Sequence, residues 1–313
     1  MNFYRLLICV SLCIPTVSKA QSAVAKELYI NPLIDGTLLI PEGVNNPPLV
    51  ILIAGSGPTD RNGNQAFMKN NMLKKLAVGL SKNGIACFRY DKRIVKQLKT
   101  RQFDNNIRFD DFVTDAKSVV NYFKSSYKEI IIAGHSQGSL VGMLAVEAGA
   151  QKFISLAGAA NTIDHIILEQ IKKTAPVFAA DTKRVLDILK EGKTTTDFPV
   201  ALSSLFNIET QTFIGSWMNY NPMMIVNDLE IPTLIINGTK DLQVSSSEAL
   251  LLKDHSKDAQ LYIIENMNHL LFEISGDDLV NSKSYNEIKH TVMPEVLEII
   301  TNFIKKEKSI INK

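Results

Sequence analysis

The sequence predicts an α/β fold: a mostly parallel sheet flanked by helices, interrupted by one helical insertion. Three observations carry this. Short apolar, β-branched runs recur at 49–54, 85–90, 129–133, 153–157, 233–237 and 260–265. Segments of helical periodicity lie between them, and strands alternating with helices imply parallel pairing through right-handed crossovers. The alternation then pauses over 161–230, where helical-looking segments (164–174, 181–191 and 199–206) occur without a convincing strand.

The first twenty residues stand outside this scheme. Met1 to Arg5 make a basic head, Leu6 to Ile14 an apolar stretch too short to span a bilayer, and Thr16-Val17-Ser18-Lys19-Ala20 a small-residue region. That pattern predicts a secretory signal cut between Ala20 and Gln21, and a protein that is exported, either periplasmic or secreted. Cys13 invites a lipid anchor, but Leu12 sits where a lipid-attachment site wants a small residue. Without this segment, 32 basic residues face 32 acidic ones. No basic stripe stands out, which argues against nucleic acid or an anionic membrane surface as partner. No other stretch approaches transmembrane length. Cys87 is the one cysteine beyond the signal, so no internal disulfide is expected. Oligomeric state is not legible.

The mature chain divides into a core at 21–160 and 231–313 and an insertion at 161–230. Residues 26–43 alternate and are expected to form a hairpin turning at Asp35-Gly36. The run 49–54 ends at Gly55 and reads as a strand covered on both faces. A helix over 70–82 is stopped by Asn83-Gly84, and 85–90 is the next strand. After a charged loop, Asp111 is placed to cap a helix whose Phe112, Ala116, Val119, Val120 and Phe123 share a face. Strand 129–133, an apolar helix and strand 153–157 follow. Beyond the insertion come strand 233–237, a helix at 246–254, strand 260–265 and a last helix near 293–306. An insertion on the C-terminal side of the strands would sit over the crevice where such sheets bind ligands, as a cap or lid. The alternative is a peripheral insertion without substrate contact.

Gly134-His135-Ser136-Gln137-Gly138 lies between the strand 129–133 and the apolar helix. Strand, sharp turn with a central serine, helix: this is the context of a G-x-S-x-G nucleophile elbow, with Gly134 and Gly138 giving room for the close approach. A serine hydroxyl needs a neighbouring base. Of five histidines, His269 in Glu265-Asn266-Met267-Asn268-His269 follows the C-terminal end of strand 260–265 and is the candidate base. His135 reads as packing beside the turn, and His165, His255 and His290 as solvated or structural. Asp241 follows strand 233–237 in Asn237-Gly238-Thr239-Lys240-Asp241 and is the candidate acid that orients the imidazole. A capping role is its alternative. Asp228 and Glu230 precede the same strand, at its wrong end. Two backbone N–H groups should form the oxyanion hole, that of Gln137 and that of Ser56 in Gly55-Ser56-Gly57-Pro58-Thr59-Asp60-Arg61. No Gly-Lys-Ser/Thr follows these glycines, which argues against a phosphate loop.

Gly55 to Arg61, Phe88-Arg89-Tyr90-Asp91-Lys92-Arg93, the elbow, Gly238-Thr239-Lys240-Asp241 and Met267-Asn268-His269 together resemble a secreted bacterial α/β-hydrolase of the esterase/serine-peptidase-like group. The order nucleophile, acid, base agrees with that fold. The group's second segment commonly continues into a glycine-rich loop, whereas Ile94 follows Arg93 here, so the shape of 94–108 departs from it. Asp60, Arg61, Asp91 and Arg93 are expected to join the two loops through ion pairs. The resemblance implies a serine hydrolase cleaving carboxylic esters of short to medium acyl chain, with a small-molecule acyl substrate and neither metal nor organic cofactor. A peptidase on small peptides would use the same machinery and would want lid acids such as Asp164, Glu169, Asp181, Asp187 or Glu191 to hold an amino group. A non-catalytic binding protein would have lost Ser136, Asp241 or His269. In the insertion, Phe178, Phe198, Leu202, Leu205, Phe206, Phe213, Trp217, Met218, Tyr220, Met223 and Met224 read either as an acyl pocket or as the insertion's own core.

Overall fold

The computed structural model describes residues 22–306, so the expected signal, residues 1–20, lies outside the described residues. Strand β1 (Ala23–Asn31) and β2 (Ile34–Pro41) form an antiparallel hairpin, but it does not turn at Asp35-Gly36. The turn is made by Pro32 and Leu33 and held by Asn31, whose Oδ1 accepts the N–H groups of Leu33 (2.9 Å) and Ile34 (3.0 Å), an Asx turn. Gly36 lies inside β2 instead. A Cβ there would come within 2.5 Å of the Phe88 ring and 2.6 Å of the Arg89 carbonyl oxygen.

Strands β3 (Leu49–Ile53), β4 (Ala86–Tyr90), β5 (Ile130–His135), β6 (Lys152–Leu156) and β7 (Thr233–Gly238) are buried at every position, as runs covered on both faces require. With β8 (Ala259–Ile264) at the far edge, the sheet runs β1-β2-β4-β3-β5-β6-β7-β8, parallel from β4 onward. The period of two in β3 feeds two cores. Leu49, Ile51 and Ile53 meet α3 (Phe109–Phe123), α4 (Gln137–Ala145) and α10 (Ser246–His255). Val50 and Leu52 meet α1 (Met72–Lys82) and α12 (Pro294–Lys305). The result is an α/β-hydrolase architecture of helix, sheet and helix layers.

Two local expectations change. The segment after Arg93 is not a loop but begins with a helix, α2 (Arg93–Thr100). Asp111 is not the cap of α3. It is the third helical residue, and its carboxylate accepts the Arg108 N–H at 2.8 Å.

Between β6 and β7 the described chain is helical: α5 (Ile163–Thr174), α6 (Ala179–Lys190), α7 (Ser203–Phe206), α8 (Ile208–Trp217) and α9 (Pro222–Asn227). Ile167, Val185, Leu186, Leu189, Leu202, Phe206 and Ile214 form a cluster of their own here, with Phe178, Phe198, Leu205 and Met218 against it. Phe213, Trp217, Tyr220 and Met223 instead pack on the main core, with Trp217 stacked on Phe109 at 5.3 Å. Met224 is exposed. Apart from Met224, these side chains pack into one or the other core. One further helix, α11 (Asp278–Ser284), sits between β8 and α12.

Candidate active site

Ser136 ends β5 and opens α4 at φ 53°, ψ −120°, a backbone region that side-chain-bearing residues rarely occupy. The flanking glycines permit it. A Cβ on Gly134 would lie 2.0 Å from the Gly138 carbonyl oxygen, and one on Gly138 would lie 2.4 Å from that of Ile53. Ser136 N donates to Leu156 O at 2.8 Å, which pins the turn to β6. Within the buried elbow, Ser136 alone is half-exposed.

Asp241 and His269 come together as the spacing suggested. His269 Nδ1 donates to Asp241 Oδ2 at 2.7 Å, both side chains being almost fully buried. The other carboxylate oxygen accepts the N–H groups of Gln243 (2.8 Å) and Val244 (2.9 Å), so the acid is fixed from both sides. With Nδ1 engaged, Nε2 is the nitrogen left for proton transfer. The two loops touch at Gly238, where a Cβ would meet Met267 O at 2.0 Å, and at Lys240 N–H, which donates to the same carbonyl at 2.9 Å.

His135 sits beside this pair. Its Nε2–H donates to the His269 carbonyl at 2.8 Å and its ring lies 4.8 Å from that of His269. The elbow and the base-bearing loop are therefore tied directly, although among the described residues no hydrogen bond joins Ser136 Oγ to an imidazole. Such contacts often tighten only when substrate is bound. His255 Nδ1–H donates to Leu251 O within its own helix at 2.9 Å, and His290 pairs with Glu287 at 2.7 Å over the Phe272 ring.

The loop after β3 leans on the elbow. A Cβ on Gly55 would stand 3.2 Å from Ser136 Cβ, and Ser56 is the next residue. Gln137 is the first residue of α4, whose N–H has no partner within the helix.

The sequence assigns no role to Asn281, nor to Lys92 and Asn268 beyond their place in the resembling segments. Asn268 is fully buried; its Oδ1 accepts the N–H groups of Leu270 (2.9 Å) and Phe272 (3.1 Å), and its Nδ2 donates to Asn281 Oδ1 (3.1 Å) and Ser284 Oγ (2.9 Å). Asn281 Nδ2 in turn donates to the Lys240 carbonyl at 2.6 Å. One polar network thus braces both loops from α11. Lys92 Nζ donates to Gly55 O (2.9 Å) and Gln137 Oε1 (2.7 Å), and burial pushes its ammonium down to about 7 while Asp115 pulls it upward. Lys92 lies two residues past the end of β4, and nothing in the sequence marks its side chain as buried.

The expected ion pairs form in part. Arg61 reaches Asp91 at 3.0 Å and also pairs with Asp35 and Glu27. Asp60 does not join them: its Oδ1 accepts the N–H groups of Asn62 and Asn64. Arg93 turns to α3 instead, pairing with Asp115 (2.8 Å) and Asp111 (2.7 Å), because it opens α2 rather than a loop.

Known proteins agree with this architecture. The BD-FAE family model matches residues 38–255. Esterase EstD of Thermotoga maritima is 26% identical over 306 residues, which is 93% of this chain and 70% of EstD. Est1E from Butyrivibrio proteoclasticus superposes with a TM-score of 0.55 at 16% identity, over 90% of this chain and 99% of that one. Est1E has also been solved with ferulic acid bound. The meta-cleavage product hydrolase CumD from Pseudomonas fluorescens gives a TM-score of 0.51 at 18% identity, over 86% and 94% of the two chains.

Proposed function

The chain belongs to the BD-FAE family and is an enzyme, a hydrolase of the α/β-hydrolase fold, and from that premise we propose that it cleaves carboxylic esters through Ser136, His269 and Asp241. The observation that carries this reading is the 2.7 Å bond from His269 Nδ1 to Asp241, next to a serine held at φ 53°.

Ser136 Oγ attacks the ester carbonyl carbon as His269 Nε2 takes its proton, and Asp241 stabilises the imidazolium. The oxygen that becomes negative is held by the N–H groups of Ser56 and Gln137, an effect worth about 10²–10³ in rate for each donor. Collapse expels the alcohol, which receives the proton from His269. Water, deprotonated by the same imidazole, then releases the acid and restores Ser136.

The insertion 161–230 serves in this reading as a cap. Gln170 of α5 supports that role by donating to Gln243 O at 3.1 Å, on the loop that carries Asp241. Most of its large apolar residues are taken up by packing, which favours a short to medium acyl chain over a long one. The peptidase alternative loses support because the lid acids are already paired: Asp164 with Lys190, Glu169 with Lys172, Asp181 with Arg184, Asp187 with Lys183 and Glu191 with Lys193. Export belongs to the same proposal and rests on residues 1–20 alone. Among the described residues no helix is long and apolar enough to cross a membrane.

The test is turnover of aryl esters of increasing acyl length, a feruloyl ester and aminoacyl amides, by the wild type and Ser136→Ala. Short esters should react fastest and the variant should lose at least about 10³-fold in kcat. Faster amide turnover would overturn the ester assignment, and an unaffected variant would overturn the triad.

A further inference from the structure

We propose that Lys92 is a positioning residue of the oxyanion hole, clamping the Gly55–Ser56 peptide to the side chain of Gln137 so that both donor amides are aimed at the same point. This rests on the oxyanion assignment made above. The Lys92 side chain is buried, and Nζ donates to Gly55 O at 2.9 Å and to Gln137 Oε1 at 2.7 Å. One acceptor is the carbonyl of the peptide whose N–H is that of Ser56, and the other belongs to Gln137, which supplies the second N–H.

The Gly55 carbonyl and the Ser56 N–H are opposite ends of one peptide plane, and in a trans peptide they point in opposite directions. Holding the carbonyl toward Lys92 therefore turns the Ser56 N–H to the other side of that plane. Gly55 itself packs against Ser136 Cβ. Hydrogen bonds in series polarise one another, so an N–H donor on the carbonyl makes the amide at the far end of the same peptide a better donor, and a lysine nitrogen can donate to both partners whether charged or neutral. Gln137 supplies the second amide, and its side chain is anchored on the same nitrogen. The ammonium also stands 4.3 Å from the centroid of the Phe112 ring, which shields it from water and adds a cation–π contact. Tyr90 and Asp115 share the small cavity lined by Lys92, Phe112 and Gln137.

A lysine kept only for packing is poorly explained here. Taking an amine charge out of water is unfavourable, and an apolar chain of similar length would fill the space without that cost. The function of the two carbonyl partners accounts for the choice.

Lys92→Met and Gln137→Met, the second of which keeps its backbone amide, are compared with wild type in the full chain. Rates are normalised to active sites titrated with a fluorophosphonate. Lys92→Met should lower kcat by about 10–100-fold and Gln137→Met by about 3–10-fold, less than or equal to loss of a whole donor. KM should stay within about threefold, and the inhibition constant of a trifluoromethyl ketone, which forms a tetrahedral adduct, should rise in step with the loss of kcat. A purely structural lysine would lower the melting temperature or the titratable fraction and leave kcat per site and the ketone constant unchanged; that result overturns the clamp. Should Lys92→Met fail to fold, Gln137→Met decides by the same two readouts. Ser136→Ala separates the levels. Undiminished turnover in it removes the oxyanion assignment and the clamp together, whereas Ser136-dependent turnover with wild-type kinetics in both methionine variants removes the clamp alone.

Discussion

Gly238 has no chemistry of its own, yet it fixes how near the acid and the base can come. A Cβ there would sit 2.0 Å from Met267 O and 2.5 Å from Met267 C. Both are backbone atoms, which cannot swing aside as the end of a side chain can. Gly238→Ala must therefore part the loop of Asp241 from the loop of His269. Overpacking of this kind costs about 1–3 kcal/mol, which lowers the melting temperature. Catalysis should suffer more than stability does, since the 2.7 Å bond spans those two loops. We expect kcat per titrated site to fall by about 10²-fold, as a displacement of 1 Å near the chemistry can cause. A variant with wild-type kcat would mean that the loops adjust without opening the pair. The proposed catalytic residues could be picked from the sequence because strand-end context and chain order single out Ser136, Asp241 and His269. Asn268, Asn281 and Lys92 could not, because a lone asparagine or lysine carries no sequence mark of burial.

The elements show the same division. Central strands were readable because burial on both faces leaves unbroken apolar runs such as Leu49–Ile53. Short helices were not, since α9 and α11, of 6 and 7 residues, do not complete two turns and so display no period. Their starts nevertheless carried a signal. Asn207, Asn221 and Asp277 each accept a backbone N–H at the head of α8, α9 and α11, as N-caps do. The hairpin was misplaced for a related reason: Asp-Gly is a strong turn signal, but Gly36 is there to admit Phe88, and Pro32-Leu33, held by Asn31, makes the turn. Helix α11 matters through Asn281, which joins Asn268 to the Lys240 carbonyl. Asn281→Leu would leave two buried polar groups without their partner, at about 1–3 kcal/mol for each. Loss of this brace should lower both the melting temperature and kcat, with KM changing less. Calorimetry and steady-state kinetics on one preparation test it, and a variant altered in neither would show that α11 is dispensable to the site.

Across the whole molecule, buried titratable groups set how stability follows pH. Burial pushes the His135 imidazole down to about 3, and repulsion from a charged His269 acts in the same direction. The unfolded chain takes up that proton near 6.5, so between about 6.5 and 3 it binds one proton more than the folded chain. Stability therefore falls as pH falls through this window, by up to about 1.4 kcal/mol per pH unit from this group. Lys92 adds a second window of the same sign. Its folded value is about 7 against 10.5 for a free lysine, so the folded state gains stability as pH rises between them. Cys87 opposes it, because burial keeps its thiol protonated where the unfolded thiol ionises, near 8.5–9. Above about pH 9 the two contributions offset each other, so the gain in stability from Lys92 should level off there. His135→Gln, which can still donate to the His269 carbonyl, isolates the acid window. Unfolding by urea at intervals from pH 4 to 9 should give a shallower fall below 6.5 for the variant and a superimposable curve above it. Equal slopes below 6.5 would mean that His135 takes up its proton without unfolding, and that the link between elbow and base loop is looser than a 2.8 Å bond implies.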